Sequence, residues 1–272
     1  MGQGAPIDSR MSLLALAQLG RGVVPPDEPV LRADDEGVLR GRAVFETLRV
    51  YDGRPFELHP HFDRLAASAQ RLRLPEPPQA ELQSLAHDAL AAAGEPNCVL
   101  RFLWTPETGL ALVSELPPDL EELRERGLRV QVCDWATGLL AGAKSVSYAE
   151  NMAAQAAAVE AGFDDALFVA PDGAVLEGPT SNVWFREGDV LHTPTLELPI
   201  LAGVTRSVIR QLAGQVEEGR YPLERLLAAD EVFLTSSVRE VMPVVAVGES
   251  TFERGPAAAE LQNAIRRYAG SV

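Results

Sequence analysis

One residue draws attention before any other. Lys144, in the stretch AGAKSVSY, is the single lysine of a chain with 24 basic residues. It stands among Gly142, Ala143 and Ser145 rather than on a charged helix face. Burial favours the neutral amine over the ammonium, and a neutral amine can attack a carbonyl to form a Schiff base. An ordinary surface lysine in an arginine-rich composition fits the same residue, so Lys144 acquires meaning only with partners. Glu177, in AVLEGPTSNVWF, lies at a strand end before a Gly-Pro turn. Set against a pyridine nitrogen it would keep that nitrogen protonated and make the ring an electron sink. Elsewhere it is a solvated or turn-capping acid. Arg64, in HFDRL, could fork onto a phosphate or pair with a surface acid.

Two further stretches suit an anion. Leu201–Thr205 (LAGVT) opens a helix and offers backbone N–H groups and a hydroxyl. Leu234–Ser237 (LTSS) follows a strand and supplies three hydroxyls in a row. Neither is specific alone, because Ser and Thr cap helices widely. Other chemistries are missing their parts. His59 and His61 form an HxH pair with no second His or Cys cluster to complete a zinc shell, and they read as a solvated helix start. No GxSxG elbow and no Walker A pattern occurs, and no metal site is expected.

The elements that must position these groups alternate in type. Val44–Val50 reads as a strand, and the Asp52-Gly53 pair after it is hairpin chemistry. Leu58, Phe62, Leu65, Ala69 and Leu72 mark one face of a helix that ends before Pro75, and a second helix runs through Glu81–Ala93. Cys98–Trp104 and Leu128–Val132 read as strands, and Tyr148–Ala161 as an Ala-rich helix. Short strands follow at Asp165–Ala170, Ala174–Glu177 and Asn182–Phe185. Beyond them come helices at Val204–Leu212 and Pro256–Tyr268, and strands at Glu231–Thr235 and Val244–Val247. Short strands mixed with helices, with little β-α-β regularity, indicate an α+β fold. Pro and Glu cluster at Glu115–Glu125, and Cys133–Gly142 is rich in Gly and Ala. These stretches predict a flexible extension over residues 1–10, a small domain over 11–126, a linker over 127–140 and a large domain over 141–272.

Composition narrows the partners. Basic residues number 24 against 39 acidic ones, a formal charge of −15, which disfavours nucleic acid and anionic membrane surfaces. No apolar run reaches the roughly 18 residues of a membrane span. Two cysteines, Cys98 and Cys133, make no disulfide framework. A cytoplasmic location is expected.

Taken in order, these residues resemble class IV aminotransferases, the fold-type IV pyridoxal-phosphate enzymes. The resemblance runs from about Leu31 to Val247. Its most specific blocks begin at GRAVFETLRVYDG, KSVSYAENMA and ILAGVTR, with VFLTSSVREVMPV after them. It implies a two-domain fold, a small α/β domain and a larger pseudo-barrel domain, with pyridoxal 5′-phosphate as cofactor. It also implies roles. Lys144 would carry the Schiff base and shuttle a proton. Tyr148, one turn on if the segment is helical, would hydrogen-bond the phenolic oxygen, and Glu177 the pyridine nitrogen. Arg64, Val204, Thr205, Ser236 and Ser237 would hold the phosphate. Relatives of this kind are homodimers or larger.

The family divides into branched-chain L-amino-acid, D-amino-acid and (R)-amine transaminases and 4-amino-4-deoxychorismate lyases. The chain reads FETLR where branched-chain enzymes typically read FEGIR, and Thr47 is similar to the threonine that assists pyruvate elimination in the lyases. Cys98–Thr105 lacks the Arg-Gly dipeptide common after this strand in both lyases and D-amino-acid transaminases, and also the Arg-x-His carboxylate trap of familiar D-alanine enzymes. Thr47, Arg49, Arg101, Thr180 and Ser181 are the candidates for substrate contact. The expected activity is transamination between a small amino acid, preferably D, and a 2-oxo acid. Lyase activity is the alternative, branched-chain activity the third, and a non-catalytic pyridoxal-phosphate protein the reading from a different class.

Overall fold

The computed structural model describes residues 11–136 and 138–271, so the sequence-predicted extension over residues 1–10 lies outside the described residues. The chain forms two compact units. One contains residues 11–117 together with Ala143–Ala149, and the other Pro118–Gly142 together with residues 150–271.

In the first unit the strands are β1 (Leu13–Gln18), β2 (Gly22–Val24), β3 (Val44–Tyr51), β4 (Arg54–Pro55), β5 (Cys98–Trp104) and β6 (Gly109–Ser114). They form one antiparallel sheet of order β2-β1-β6-β5-β3-β4. A short helix, α1 (Glu36–Arg40), precedes β3, while α2 (Leu58–Arg71) and α3 (Gln79–Ala93) pack on the sheet. The pleat of β3 sorts its residues. Val44, Glu46, Leu48 and Val50 are buried, and Phe45, Thr47, Arg49 and Tyr51 are half-buried on the opposite face. Phe62, Leu65 and Ala69 of α2 fill the core against that buried face, which selects the helix register read from the sequence. The β3–β4 turn needs positive φ at both central residues, and Asp52 (φ 48°) and Gly53 (φ 78°) supply it.

The second unit holds α4 (Leu120–Arg126), β7 (Leu128–Asp134), α5 (Ala149–Glu160), β8 (Asp165–Val169), β9 (Asn182–Glu187) and β10 (Val190–Pro194). It continues with α6 (Val204–Leu212), β11 (Gln215–Gly219), α7 (Leu223–Leu227), β12 (Glu231–Ser236), β13 (Glu240–Val247), β14 (Ser250–Thr251) and α8 (Pro256–Ala269). Its sheet runs β11-β10-β9-β12-β13-β7-β8, with β14 on β13. Trp184, Phe185 and Phe233 are among its largest wholly buried side chains. The two sheets and their helices make an α+β fold.

Several boundaries differ from the sequence reading. The stretch 127–140 contains β7, which lies between β13 and β8 with Leu128 and Val130 buried. The Pro- and Glu-rich stretch before it holds α4. There Pro118 precedes the helix, Glu121 and Glu122 sit in its first turn, and Arg124 and Arg126 in its last, as the helix dipole favours. Ala143–Ala149 belongs with the first unit, because its backbone pairs with the start of β3. Ala174–Glu177 makes isolated bridges, Val169 with Val175, Ala174 with Pro222 and Glu177 with Asn182, instead of a strand of its own.

Leu65 tests the α2–sheet core. Leu65→Ala leaves a cavity and should lower the unfolding free energy by about 2–5 kcal/mol in urea titration. Asp63→Ala, exposed on the same helix, should change it by less than about 0.5 kcal/mol. Equal small effects would mean that α2 does not seal this core.

Candidate active site

The first unit brings Lys144 to β3. Phe45 N–H donates to the Lys144 carbonyl at 3.1 Å and Val146 N–H to the Ala43 carbonyl at 3.0 Å. Lys144 N–H donates to Ser68 Oγ on α2 at 3.1 Å. The backbone is thus fixed from two elements, and the side chain lies over the half-buried face of β3. Lys144 Nζ is 4.4 Å from the Phe45 ring centroid, and the Tyr148 ring meets the same ring edge-on at 5.5 Å. The segment from Lys144 to Tyr148 is not helical, because α5 starts only at Ala149. The two side chains meet instead at Phe45, a residue the sequence reading did not single out.

The same face carries three of the proposed substrate residues. Thr47 pairs with Arg101 across β3 and β5, and Arg101 Nε donates to Thr47 Oγ1 at 3.3 Å. The Arg101 guanidinium carbon lies 6.0 Å from the Phe45 centroid, and that of Arg49 5.1 Å from the Tyr51 centroid. Arg101 forms no ion pair with a carboxylate among the described residues.

Arg64 is bound inside this unit. Its Nε and Nη2 donate to the two oxygens of Glu46, each at 2.7 Å, and His61 Nδ1 lies 2.7 Å from Glu46 Oε2. Glu46 and His61 are both buried, so His61 is a buried partner of a carboxylate and not the solvated helix start that the sequence suggests. Burial pushes the Glu46 carboxyl up, but Arg64 and His61 outweigh it and hold the group at about 2. Burial lowers the pKa of His61 despite the carboxylate beside it. A neutral His61 with its proton on Nδ1 donates to Glu46.

The second unit holds the other residues. Glu177 Oε2 accepts from Asn182 Nδ2 at 3.1 Å, and Leu201 N–H lies 3.1 Å from each carboxylate oxygen. Donors from two separate segments thus orient the Glu177 carboxylate. Asn182 also donates to the Leu201 carbonyl at 2.9 Å, which ties the 177–182 turn to the entry of α6. Gly203 precedes α6 and has no side chain to cap it, so the first-turn N–H groups of Val204 and Thr205 suit an external anion. A Cβ on Gly203 would lie 1.9 Å from Asn182 Oδ1, which restricts this position to glycine. Thr205 is buried, while Ser236 and Ser237 are half-buried where β12 ends. Thr180 Oγ1 accepts from Arg239 Nη2 at 2.8 Å, and Arg239 pairs with buried Asp165, which gives Thr180 a structural partner. Ser181 Oγ is buried and has no hydrogen-bond partner among the described residues. No group of three His, Cys, Asp or Glu residues among them is arranged to hold a metal ion, and no helix among them is long and apolar enough to cross a membrane.

Comparison with known proteins identifies the family. The family model for amino-transferase class IV matches residues 43–247, and the chain belongs to that family. It is 32% identical over 268 residues to the aminodeoxychorismate lyase of Bacillus subtilis (strain 168), covering 86% of this chain and 88% of that one. It is 34% identical over 217 residues to a bifunctional aminodeoxychorismate lyase / D-amino acid transaminase of Mycobacterium tuberculosis, covering 70% and 75%. Among solved structures, a hypothetical aminotransferase from Mycobacterium tuberculosis, with PLP bound, matches with a TM-score of 0.88 at 29% identity, over 94% of this chain and 99% of that one. The same description holds for its form with alpha-ketoglutarate and PMP. The fold is therefore that of the fold-type IV transaminases, and the enzyme uses pyridoxal 5′-phosphate. Each unit holds groups whose chemistry fits that cofactor: an amine on an aromatic ring in the first, and an oriented carboxylate and an uncapped helix start with nearby hydroxyls in the second.

Two outcomes follow from this geometry. Gly203→Ala should lower the melting temperature of the cofactor-free protein, and adding Asn182→Ala should restore part of the loss by removing the clashing amide; no recovery would contradict the contact. Acid should also weaken the fold through two groups. An unfolded His61 takes a proton near its ordinary 6.5 before the folded one does, so stability falls below that pH. Glu46 contributes above its ordinary 4.5, and its contribution is lost as the pH falls towards 2. His61→Gln should flatten the stability profile between about pH 6.5 and 5 in urea titrations, and an unchanged slope would place the proton uptake elsewhere.

Proposed function

We propose that this chain is an aminotransferase that moves an amino group between a small amino acid, D-configured by preference, and a 2-oxo acid. The observation that carries this reading is the placing of Lys144 Nζ and the Arg101 guanidinium about one ring, Phe45. An amine poised for proton transfer and an arginine able to fork onto a carboxylate are what an α-amino acid requires. The D preference draws on the bifunctional Mycobacterium tuberculosis relative and on D-alanine aminotransferases such as that of Bacillus licheniformis, 28% identical to this chain. The 2-oxo acid draws on the neighbour solved with alpha-ketoglutarate.

Each residue then has a task. Bound pyridoxal phosphate supplies a cationic conjugated ring that accepts the electron pair left when a bond to the substrate α-carbon breaks. Lys144 would hold the cofactor at rest, and its Nζ, once freed by the substrate amine, would take the proton from the substrate α-carbon and return it to the carbon that had been the cofactor's aldehyde. Glu177, held by Asn182 and Leu201, keeps the proton on the pyridine nitrogen. Tyr148 donates to the phenolic oxygen. Arg64, Val204, Thr205, Ser236 and Ser237 bind the phosphate. Arg101 anchors the substrate carboxylate, with Thr47 bracing its Nε, while Arg49, Thr180 and Ser181 remain further candidates for substrate contact. The working form is a homodimer, as the resemblance implies, and the sparse cysteines suit a cytoplasmic location.

Thr47 favours a second reading. Its hydroxyl lies on the same strand face as Phe45, where it could assist elimination of pyruvate from 4-amino-4-deoxychorismate. The Bacillus subtilis relative is named for that lyase activity.

A panel of half-reactions separates the two readings. D-alanine or D-glutamate should bleach the visible band of the loaded enzyme, and a 2-oxo acid should restore it. Release of pyruvate and 4-aminobenzoate from aminodeoxychorismate, with no bleaching by amino acids, would establish the lyase instead. Cofactor binding with neither response would overturn both.

A further inference from the structure

We propose that Glu46 is a positioning residue for phosphate recognition, and that it acts by fixing the plane and outward edge of the Arg64 guanidinium. The inference rests on the reading above that Arg64 meets the cofactor phosphate. It begins with the pleat of β3. The residue between Val44 and Leu48 on the buried face is a carboxylate where the pattern calls for an aliphatic side chain. An ionised carboxylate with no exposure, in a core of Leu65, Phe62 and Val44, is costly to bury and persists only when its oxygens are occupied. They are occupied from one helix. Arg64 forks onto both oxygens, and His61, three residues earlier on α2, reaches Oε2.

This geometry determines the orientation of Arg64. A guanidinium is planar, and once its Nε and Nη2 edge is committed to a carboxylate the direction of the remaining edge is set. The Arg64 side chain keeps 12% of its surface exposed while Glu46 has none, so the pair has an inner end and an outer end. A buried ion pair of this kind is a poor source of stability, since apolar residues of similar volume often serve as well. Its use here is orientation. Glu46 takes two donors of the guanidinium in fixed geometry, which narrows the orientations in which Arg64 can meet an anion. With Glu46 in place Arg64 is a rigid donor edge whose charge is partly offset, so phosphate is recognised by geometry more than by charge.

The test compares two ligands, pyridoxal 5′-phosphate and pyridoxal, which differ only in the phosphate, by equilibrium absorbance titration of cofactor-free protein. Arg64→Ala is the reference and should weaken binding of the phosphorylated ligand at least thirtyfold while changing pyridoxal by less than threefold. Glu46→Gln keeps the volume but sets an amide N–H against Arg64, and should cost at least tenfold for the phosphorylated ligand, again with pyridoxal within threefold. The double variant should bind no more weakly than Arg64→Ala alone. Equal losses for both ligands in Glu46→Gln, no loss, or additive losses in the double variant would overturn the positioning role. If Arg64→Ala leaves the preference for phosphate unchanged, the phosphate assignment of Arg64 fails, and the proposal with it. Should Glu46→Gln not fold, Arg64→Lys asks the same question, because lysine keeps the charge but cannot fork. A tenfold or greater loss of phosphate preference supports positioning, and a retained preference contradicts it.

Discussion

The pairing of the Ala143–Val146 segment with the start of β3 is the contact on which the rest depends. Two backbone hydrogen bonds, Phe45 to Lys144 and Val146 to Ala43, and a third from Lys144 N–H to Ser68 place the only lysine of the chain over one face of one strand. Strand geometry then assigns the neighbours. Residues two apart share a face, so Phe45, Thr47 and Arg49 lie on the lysine's side and Glu46 on the other. A shift of one residue in the pairing of β3 with β5 would exchange the two sets, turning the carboxylate outward and the aromatic ring into the core.

Charged groups in both units are held before any ligand arrives. Glu46 is fixed by Arg64 and His61, and Glu177 by Asn182 and Leu201. Each carboxylate is held by donors from a second segment, which limits its reorientation. Preorganised dipoles and charges need little reorganisation during a reaction, and this is the main way a protein adds to chemistry that a cofactor already supplies. Gly203 shows how tightly the second unit is built, since the space its side chain would need is taken by the amide that steers Glu177.

Long periodic elements were legible in the sequence, and short ones were not. The helices at Leu58–Arg71 and Gln79–Ala93 and the strand at Val44–Tyr51 follow directly from apolar spacing. β6 (Gly109–Ser114) has no clear sequence signal because it is buried along most of its length, and α4 has none because Pro and Glu around it read as linker. Lys144, Tyr148, Glu177, Arg64 and the two anion-binding stretches could be named from residue type and family resemblance. Glu46, Phe45 and Asn182 lie outside that set. A signal for Glu46 did exist: a carboxylate in phase with Val44, Leu48 and Val50 must be buried, and His61 with Arg64 three residues later on one helix face offers its partners. Asn182 had no such signal, since a turn asparagine looks alike whether or not it steers a carboxylate.

A single lysine makes the central claim open to a clean measurement. Borohydride reduction of the protein loaded with pyridoxal 5′-phosphate, followed by peptide mass spectrometry, records where the cofactor is attached. The account predicts one pyridoxyl adduct, on the peptide that contains Lys144. An unmodified Lys144, with the adduct absent or on the chain's α-amino group, would contradict it.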